Sequence, residues 1–320
     1  MTEHTPSGPA GRTQRACLIT ADADLAKLLP GLWPQGDVAF TVYDRGRAAV
    51  EVLFNDPPDL LVVDKRMDDL PASDIAAFVK GENVYRQVPV VLVLDEADMA
   101  EPMDWNALEV DDFLVRPFTD AEARDRLNLT LLRAMRAMDA NPLTKLPGNT
   151  SIIQRIQQRM DRGEDFALAY LDLDHFKAYN DRYGFSRGDE ALMMAARVIV
   201  NTVKGLGEPG AFVGHVGGDD FVFLMGPEHW EEACTGIIRT FDAIVPNFYD
   251  QGDREAGRIR SVDRQGNARD FPIMAISIAV VLNEDGRLKH YGEATAIASG
   301  LKKKAKENPE SCYVADRRKS

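Results

Sequence analysis

Cysteine is scarce here: Cys17, Cys234 and Cys312 are the only three in 320 residues. An odd, widely spaced set builds no disulfide framework and has no metal-type spacing. The five histidines are equally scattered. Positive charge is short as well, with 38 Lys and Arg against 51 Asp and Glu and a formal net charge of −13. Nucleic-acid binding neutralises phosphates with clustered cations, so no nucleic-acid partner is expected, and a phosphate-bearing ligand needs a local site. No apolar run approaches the roughly 20 residues that span a bilayer, so no membrane insertion is expected. The opening MTEHTPSGPAGRTQRA has no apolar signal core. Residues 1–13 therefore read as a disordered lead on a chain expected in the cytoplasm.

What is present suits a globular chain. Apolar residues make up 45% and charged residues 28%, and the length allows two domains with a core each. Over residues 14–118, five short apolar runs (Ala16–Thr20, Val38–Val42, Leu60–Asp64, Val88–Leu94, Phe113–Val115) alternate with amphipathic stretches near Ala23–Leu32, Arg45–Phe54 and Ser73–Lys80. A weaker helical stretch lies around Glu101–Ala107. This alternation predicts an α/β domain with a doubly wound five-stranded parallel sheet, its functional residues at the strand C-terminal ends. Asp22, Asp24 and Asp64 occupy such ends.

Phe118–Asp139 reads as one helix behind a Thr119-Asp120 cap, and residues 119–140 as a linker. Leu127, Leu131, Ala134 or Met135, and Met138 form an apolar stripe. Its first half can pack on the preceding sheet; its second half needs a partner, either that same sheet or a second copy of the chain. Asn141-Pro142 ends the helix.

Residues 141–320 change pattern: a helix on Ile152, Ile156 and Met160, a strand Phe166–Asp174, and a helix on Leu192, Ala195, Ile199 and Val203. Strands Ala211–Val216 and Asp219–Met225 flank Gly217-Gly218, a hairpin signal. A helix from Trp230 to Ile244, a strand Pro272–Leu282, a helix near Glu293–Lys306 and a strand Ser311–Ala315 complete an α+β, palm-type or ferredoxin-like order. Within it, Asp172 and Asp174 share a strand face, and the glycine turn can bring Asp219 and Asp220 alongside. Converging carboxylates repel unless a divalent cation neutralises them. Hard oxygen ligands suit Mg²⁺, an ion of phosphoryl chemistry. Each string alone is also ordinary turn chemistry.

Together, the stretches NPLTKLPGN, LDLDHFKAYNDRYGFSRGDEAL, GHVGGDDF, AISIAVV and the end of KKKAK make residues 141–316 resemble the GGDEF family of diguanylate cyclases. That resemblance implies a dimer joining two GTP molecules into cyclic di-GMP with Mg²⁺ or Mn²⁺. It implies metal ligation by Asp172, the Leu173 carbonyl and Asp219, with Asp219 and its neighbour Asp220 as catalytic carboxylates. Asn180 and Asp189 match the guanine-reading positions, Lys177 and Lys306 the triphosphate cations, and Gly217 and Gly218 the bare turn; a solvated face is the competing reading of the lysine run. The chain departs from the family at Asp220 (usually Glu), His215-Val216, Phe185, Glu310, Asn141 and the longer Tyr249–Phe271, with a hairpin around Arg264–Asn267. These departures leave an alternative: a domain without turnover that senses GTP or docks a protein. Residues 14–118 resemble a response-regulator receiver, with Asp64 at the phosphoacceptor position and a sensor kinase as the implied partner. Thr20-Ala21 stand where an acidic pair is usual, Leu94 where a Thr or Ser is, and Arg116 where a Lys is. A pseudo-receiver serving dimer or partner contacts is the competing reading.

Overall fold

The computed structural model describes residues 13–316 except 35, 54, 83–84, 101 and 263–267. The lead expected over 1–13 therefore lies almost wholly outside the described residues, as does the turn expected around Arg264–Asn267. The chain divides into two compact units, the first ending at Met138 and the second beginning at Asp139.

The first unit runs β1 (Gln14–Ile19), α1 (Ala23–Gly31), β2 (Val38–Tyr43), α2 (Gly46–Leu53), β3 (Leu60–Asp64), α3 (Ala72–Gly81), β4 (Val90–Asp95), α4 (Trp105–Leu108), β5 (Asp112–Arg116) and α5 (Asp120–Asp139). Its five strands form an all-parallel sheet in the order β2-β1-β3-β4-β5. Because side chains alternate along a strand, Ala16, Leu18, Leu60 and Val62 pack with α1 and α5 on one face, while Cys17, Ile19, Leu61 and Val63 pack with α2 and α3 on the other. This is the doubly wound sheet that the alternating runs predict. The weak helical stretch around Glu101–Ala107 is different: a 3₁₀ segment at Glu96–Ala100 and then the single turn of α4. Pro102 lies between them and cannot continue a helix. On α5, Ala123, Leu127 and Leu131 are buried against the unit's own sheet, whereas Leu129, Leu132 and Met138 are exposed.

The second unit holds α6 (Asn149–Asp161), β6 (Phe166–Asp174), α7 (Phe176–Tyr183), α8 (Phe185–Gly205), β7 (Phe212–Gly217), β8 (Asp220–Met225), α9 (Trp230–Ile244), α10 (Gln251–Ala256), β9 (Arg258–Val262), β10 (Ala268–Pro272), β11 (Ala275–Asn283), α11 (Tyr291–Ala305) and β12 (Cys312–Asp316). Its main sheet has the order β12-β11-β6-β8-β7, antiparallel except for the parallel β11–β12 pair. The strand expected over Pro272–Leu282 is β11, which begins three residues later at Ala275 because Pro272 closes β10, a strand that pairs with β9 in a separate ribbon.

Alternation on β6 sets up everything that follows. Ala167, Ala169, Leu171 and Leu173 face α7, α8 and α9, while Phe166 and Leu168 face α6 and α11. Continuing the second series places Asp172 and Asp174 on the α11 side, where the apolar layer ends. On β8, Val222 and Leu224 take the same side, and so does Asp220.

Candidate functional site

Asp172 and Asp220 are direct cross-strand partners in the antiparallel β6–β8 register. Like charges placed so are destabilising, and α11 supplies the compensation. Lys302 Nζ lies 2.9 Å from Asp172 Oδ2 and also hydrogen-bonds Asp220 Oδ1. One helical turn on, Lys306 Nζ lies 2.6 Å from Asp172 Oδ1 and 3.8 Å from Asp174 Oδ1. Asp174 also accepts from Ser277 on β11.

Asp219 reaches the same place from the turn. Gly217 and Gly218 have φ of 143° and 58°, and a Cβ at either would meet nothing within 4 Å. Conformation, not crowding, is therefore what makes glycine fit there. Oxygens of Asp172, Asp219 and Asp220 all come within 4.8 Å of one another. Among the described residues Asp219 makes no ion pair, and Asp172 Oδ1, though buried and close to Lys306, has no donor in hydrogen-bonding alignment. A buried carboxylate oxygen without an aligned donor, among hard oxygen ligands, fits a divalent cation such as Mg²⁺.

The electrostatics divide the cluster. Burial pushes the Asp172 carboxyl up, but the two ammoniums more than reverse that and hold it below the ordinary range. Burial, with the negative charge of Asp172, pushes Asp219 up, and Asp220 is raised by burial despite Lys302. Burial opposes charge on Lys302, yet its carboxylate partners outweigh that and keep it protonated.

The turn is braced from behind. His215, buried with 2% of its surface exposed, sets Nδ1 2.9 Å from Thr144 Oγ1 and Nε2 3.0 Å from the Gly218 carbonyl, and stacks on Phe221. Its backbone N–H donates to the Pro147 carbonyl. Asn141 in turn accepts from the Leu143 and Thr144 N–H groups. The stretch NPLTKLPGN thus works as a buttress for the glycine turn, and His215 is part of that buttress.

Of the other residues singled out in the sequence, Asn180 on α7 lies beside Gly188 on α8. A Cβ at Gly188 would fall 1.8 Å from Asn180 Oδ1, and that oxygen is buried without a partner. Asp189 is exposed one residue further on. Lys177 is exposed and makes no ion pair among the described residues. Leu173 is buried on the opposite face of β6 from Asp172. Glu310 is exposed in the turn before β12. Lys302 was not singled out; its four-residue spacing from Lys306 was the available signal.

The first unit has an acidic cluster of its own. Asp64, 1% exposed, accepts from Thr20 Oγ1 (2.7 Å), Arg66 N–H (3.0 Å) and Arg116 (2.8 and 3.2 Å). Arg116 also pairs with Asp22 at 3.2 Å and Asp95 at 3.1 Å. Asp22 caps α1 as well, accepting from the Asp24 and Leu25 N–H groups. Leu94 is fully buried in the core.

Comparison with known proteins gives residues 138–254 as a match to the family described as "Diguanylate cyclase, GGDEF domain". Diguanylate cyclase DgcP of Pseudomonas aeruginosa is 35% identical over 109 residues, covering 33% of this chain and 16% of that protein. Response regulator PleD of Caulobacter vibrioides is 24% identical over 186 residues, covering 53% of this chain and 40% of that protein. The chain thus spans less than half the length of either relative. Among solved structures, the signal receiver domain of a signal transduction histidine kinase from Syntrophus aciditrophicus aligns with a TM-score of 0.34 and 21% identity, over 38% of this chain and 91% of that one. Among the described residues, no helix is long and apolar enough to cross a membrane.

Proposed function

From the premise that residues 138–254 are a GGDEF domain, we propose that the chain is a diguanylate cyclase that joins two GTP molecules into cyclic di-GMP. The observation that carries this is the meeting of Asp172, Asp219 and Asp220 oxygens within 4.8 Å beside the Lys306 ammonium. Asp172 and Asp219 would hold the divalent cation, with the Leu173 carbonyl beside them. When bound, the cation supplies charge stabilisation for the nucleophilic and phosphoryl oxygens.

The remaining roles belong to side chains. Asp219, its carboxyl raised by burial, is suited to accept the proton of the attacking 3′-hydroxyl. Lys306, 44% exposed, can turn from Asp172 to the triphosphate of the incoming nucleotide, and Lys177 is a second cation for it. The unpaired Asn180 oxygen and the exposed Asp189 offer acceptors to the guanine edge. The bare Gly217-Gly218 turn lets the nucleotide lie against backbone.

One unit carries one such site, and in-line attack of one nucleotide on another needs two sites facing each other. Activity therefore calls for a homodimer, and the exposed Leu129, Leu132 and Met138 of α5 give the helix apolar surface for one. In this reading the first unit sets the geometry of that dimer in the cytoplasm.

Purified chain supplied with Mg²⁺ and GTP is expected to make cyclic di-GMP, and Asp172→Ala or Asp219→Ala to abolish it. GTP binding by calorimetry without any product would instead favour a nucleotide-sensing or protein-docking module. The tie between Lys302 and Asp220 is the observation that favours that second reading.

A further inference from the structure

Lys302 and Lys306 both meet the acidic cluster, but they are held differently. Lys302 bridges two strands through Asp172 Oδ2 on β6 and Asp220 Oδ1 on β8, and its side chain is 21% exposed. Lys306 touches only β6 carboxylates and is 44% exposed. Drawing Lys306 away would uncover Asp172 Oδ1, the oxygen that lacks an aligned donor. Drawing Lys302 away would leave Asp220 without an ion pair among the described residues, directly across the sheet from Asp172, which would keep only Lys306.

Charge counting agrees with this division. Asp172, Asp174, Asp219 and Asp220 bring four negative charges, and the two lysines return two positive ones. The remainder equals the charge of one divalent ion.

We infer that Lys302 is the fixed, built-in cation of this site: it occupies Asp220 and one oxygen of Asp172, and so limits the site to a single divalent cation bound between Asp172 and Asp219. Asp220 is then a partner for Lys302 and not a metal ligand. A carboxylate one methylene shorter than glutamate suits that role, since it needs to reach only the ammonium beside it. The inference rests on the metal-dependent reading of the cluster given above, and its test separates the two.

The test is Mn²⁺ binding to the full chain without nucleotide, read from the electron paramagnetic resonance signal of free Mn²⁺. Wild type is expected to take up one equivalent per chain, and Asp219→Asn to lose it. Lys302→Met keeps the length of the side chain and removes the charge. It is expected to bind Mn²⁺ roughly tenfold more tightly, the consequence of lifting a positive charge a few ångströms from the ion, and to admit a second equivalent through the freed Asp220. Lys303→Met, exposed on the same helix, should behave as wild type. Should Lys302→Met fail to fold, Asp220→Asn serves instead: it should retain the single equivalent.

Two equivalents in wild type, unchanged affinity in Lys302→Met, or loss of binding in Asp220→Asn overturns the assignment to Lys302 and leaves the cation site standing. Absence of Mn²⁺ binding in wild type, or binding indifferent to Asp219→Asn, overturns the cation site and the inference together.

Discussion

The two units each gather carboxylates at strand ends around a cation carried by the chain itself, and they finish the job to different degrees. In the first, the Arg116 guanidinium pairs with Asp22, Asp64 and Asp95 together, and both oxygens of Asp64 are filled. In the second, Lys302 and the more exposed Lys306 cover Asp172 and Asp220 while, among the described residues, Asp219 is left without an ion pair. Guanidinium is planar, always charged and presents five donors, so it can saturate several carboxylates in one geometry. The Lys306 ammonium, on a four-carbon stem and held by carboxylates of one strand, can let go. On the function proposed above, the difference assigns the first cluster a structural role and leaves the second open to a ligand.

Neutralising one acid in each cluster should break the symmetry most sharply. Asp219→Asn is expected to lower cyclic di-GMP formation by roughly 10²–10³-fold or more, the scale of losing a group that stabilises transition-state charge. Asp64→Asn should leave the rate within about threefold. A comparable loss in both would mean that the first cluster takes part in the chemistry.

Removing the cation of the closed cluster tests the other half. Arg116→Ala strands the 1%-exposed Asp64 and is expected to cost about 3 kcal/mol in urea unfolding, as for one partner of a buried ion pair. A cost below about 1 kcal/mol would show that Arg116 does not hold the cluster.

Much of this contrast was legible in the sequence. The run Phe166–Asp174 gives β6 its full length, because apolar residues fill it until the Asp-Leu-Asp ending, and Gly217-Gly218 marks the turn between β7 and β8. The shared face of Asp172 and Asp174 follows from side-chain alternation, and the glycine turn brings Asp219 and Asp220 to it. Lys302 follows from neither, since three lysines in a row all read as solvent-facing, and only the rotation of α11 over β6 and β8 separates Lys302 from Lys303. His215 was visible only as a departure from a motif. Its role depends on Thr144, 71 residues away in sequence. The short helix α7 also went unread, and it is set apart from α8 by a single residue, Gly184 with φ of 85°. The start of β11 was placed three residues early because Pro272 ends β10, whose pairing with β9 is a fact of long-range register.

A smaller effect sharpens the account of the nucleotide end. Gly188→Ala would put a methyl group 1.8 Å from Asn180 Oδ1, and the amide must turn away. GTP affinity by calorimetry should fall about tenfold, the value of one hydrogen bond to a charged or strongly polar partner. Unchanged affinity would remove Asn180 from the proposed guanine site.

The smallest effect concerns the buttress. Burial holds the His215 imidazole below its ordinary value, so the folded form resists protonation that the unfolded chain accepts. Stability contributed this way is present above about pH 6.5 and is lost as pH falls from there toward the folded value. Urea midpoints of wild type should therefore drop relative to His215→Gln between pH 7.5 and pH 5.5. Parallel curves would show that the histidine does not titrate with folding.

The most direct measurement is the specific rate of cyclic di-GMP formation from GTP and Mg²⁺ across a series of concentrations of the full chain. A rate per chain that rises with concentration and then levels is expected, because the proposed reaction needs two open sites facing each other. A complete absence of product at every concentration, with GTP bound, would contradict the account.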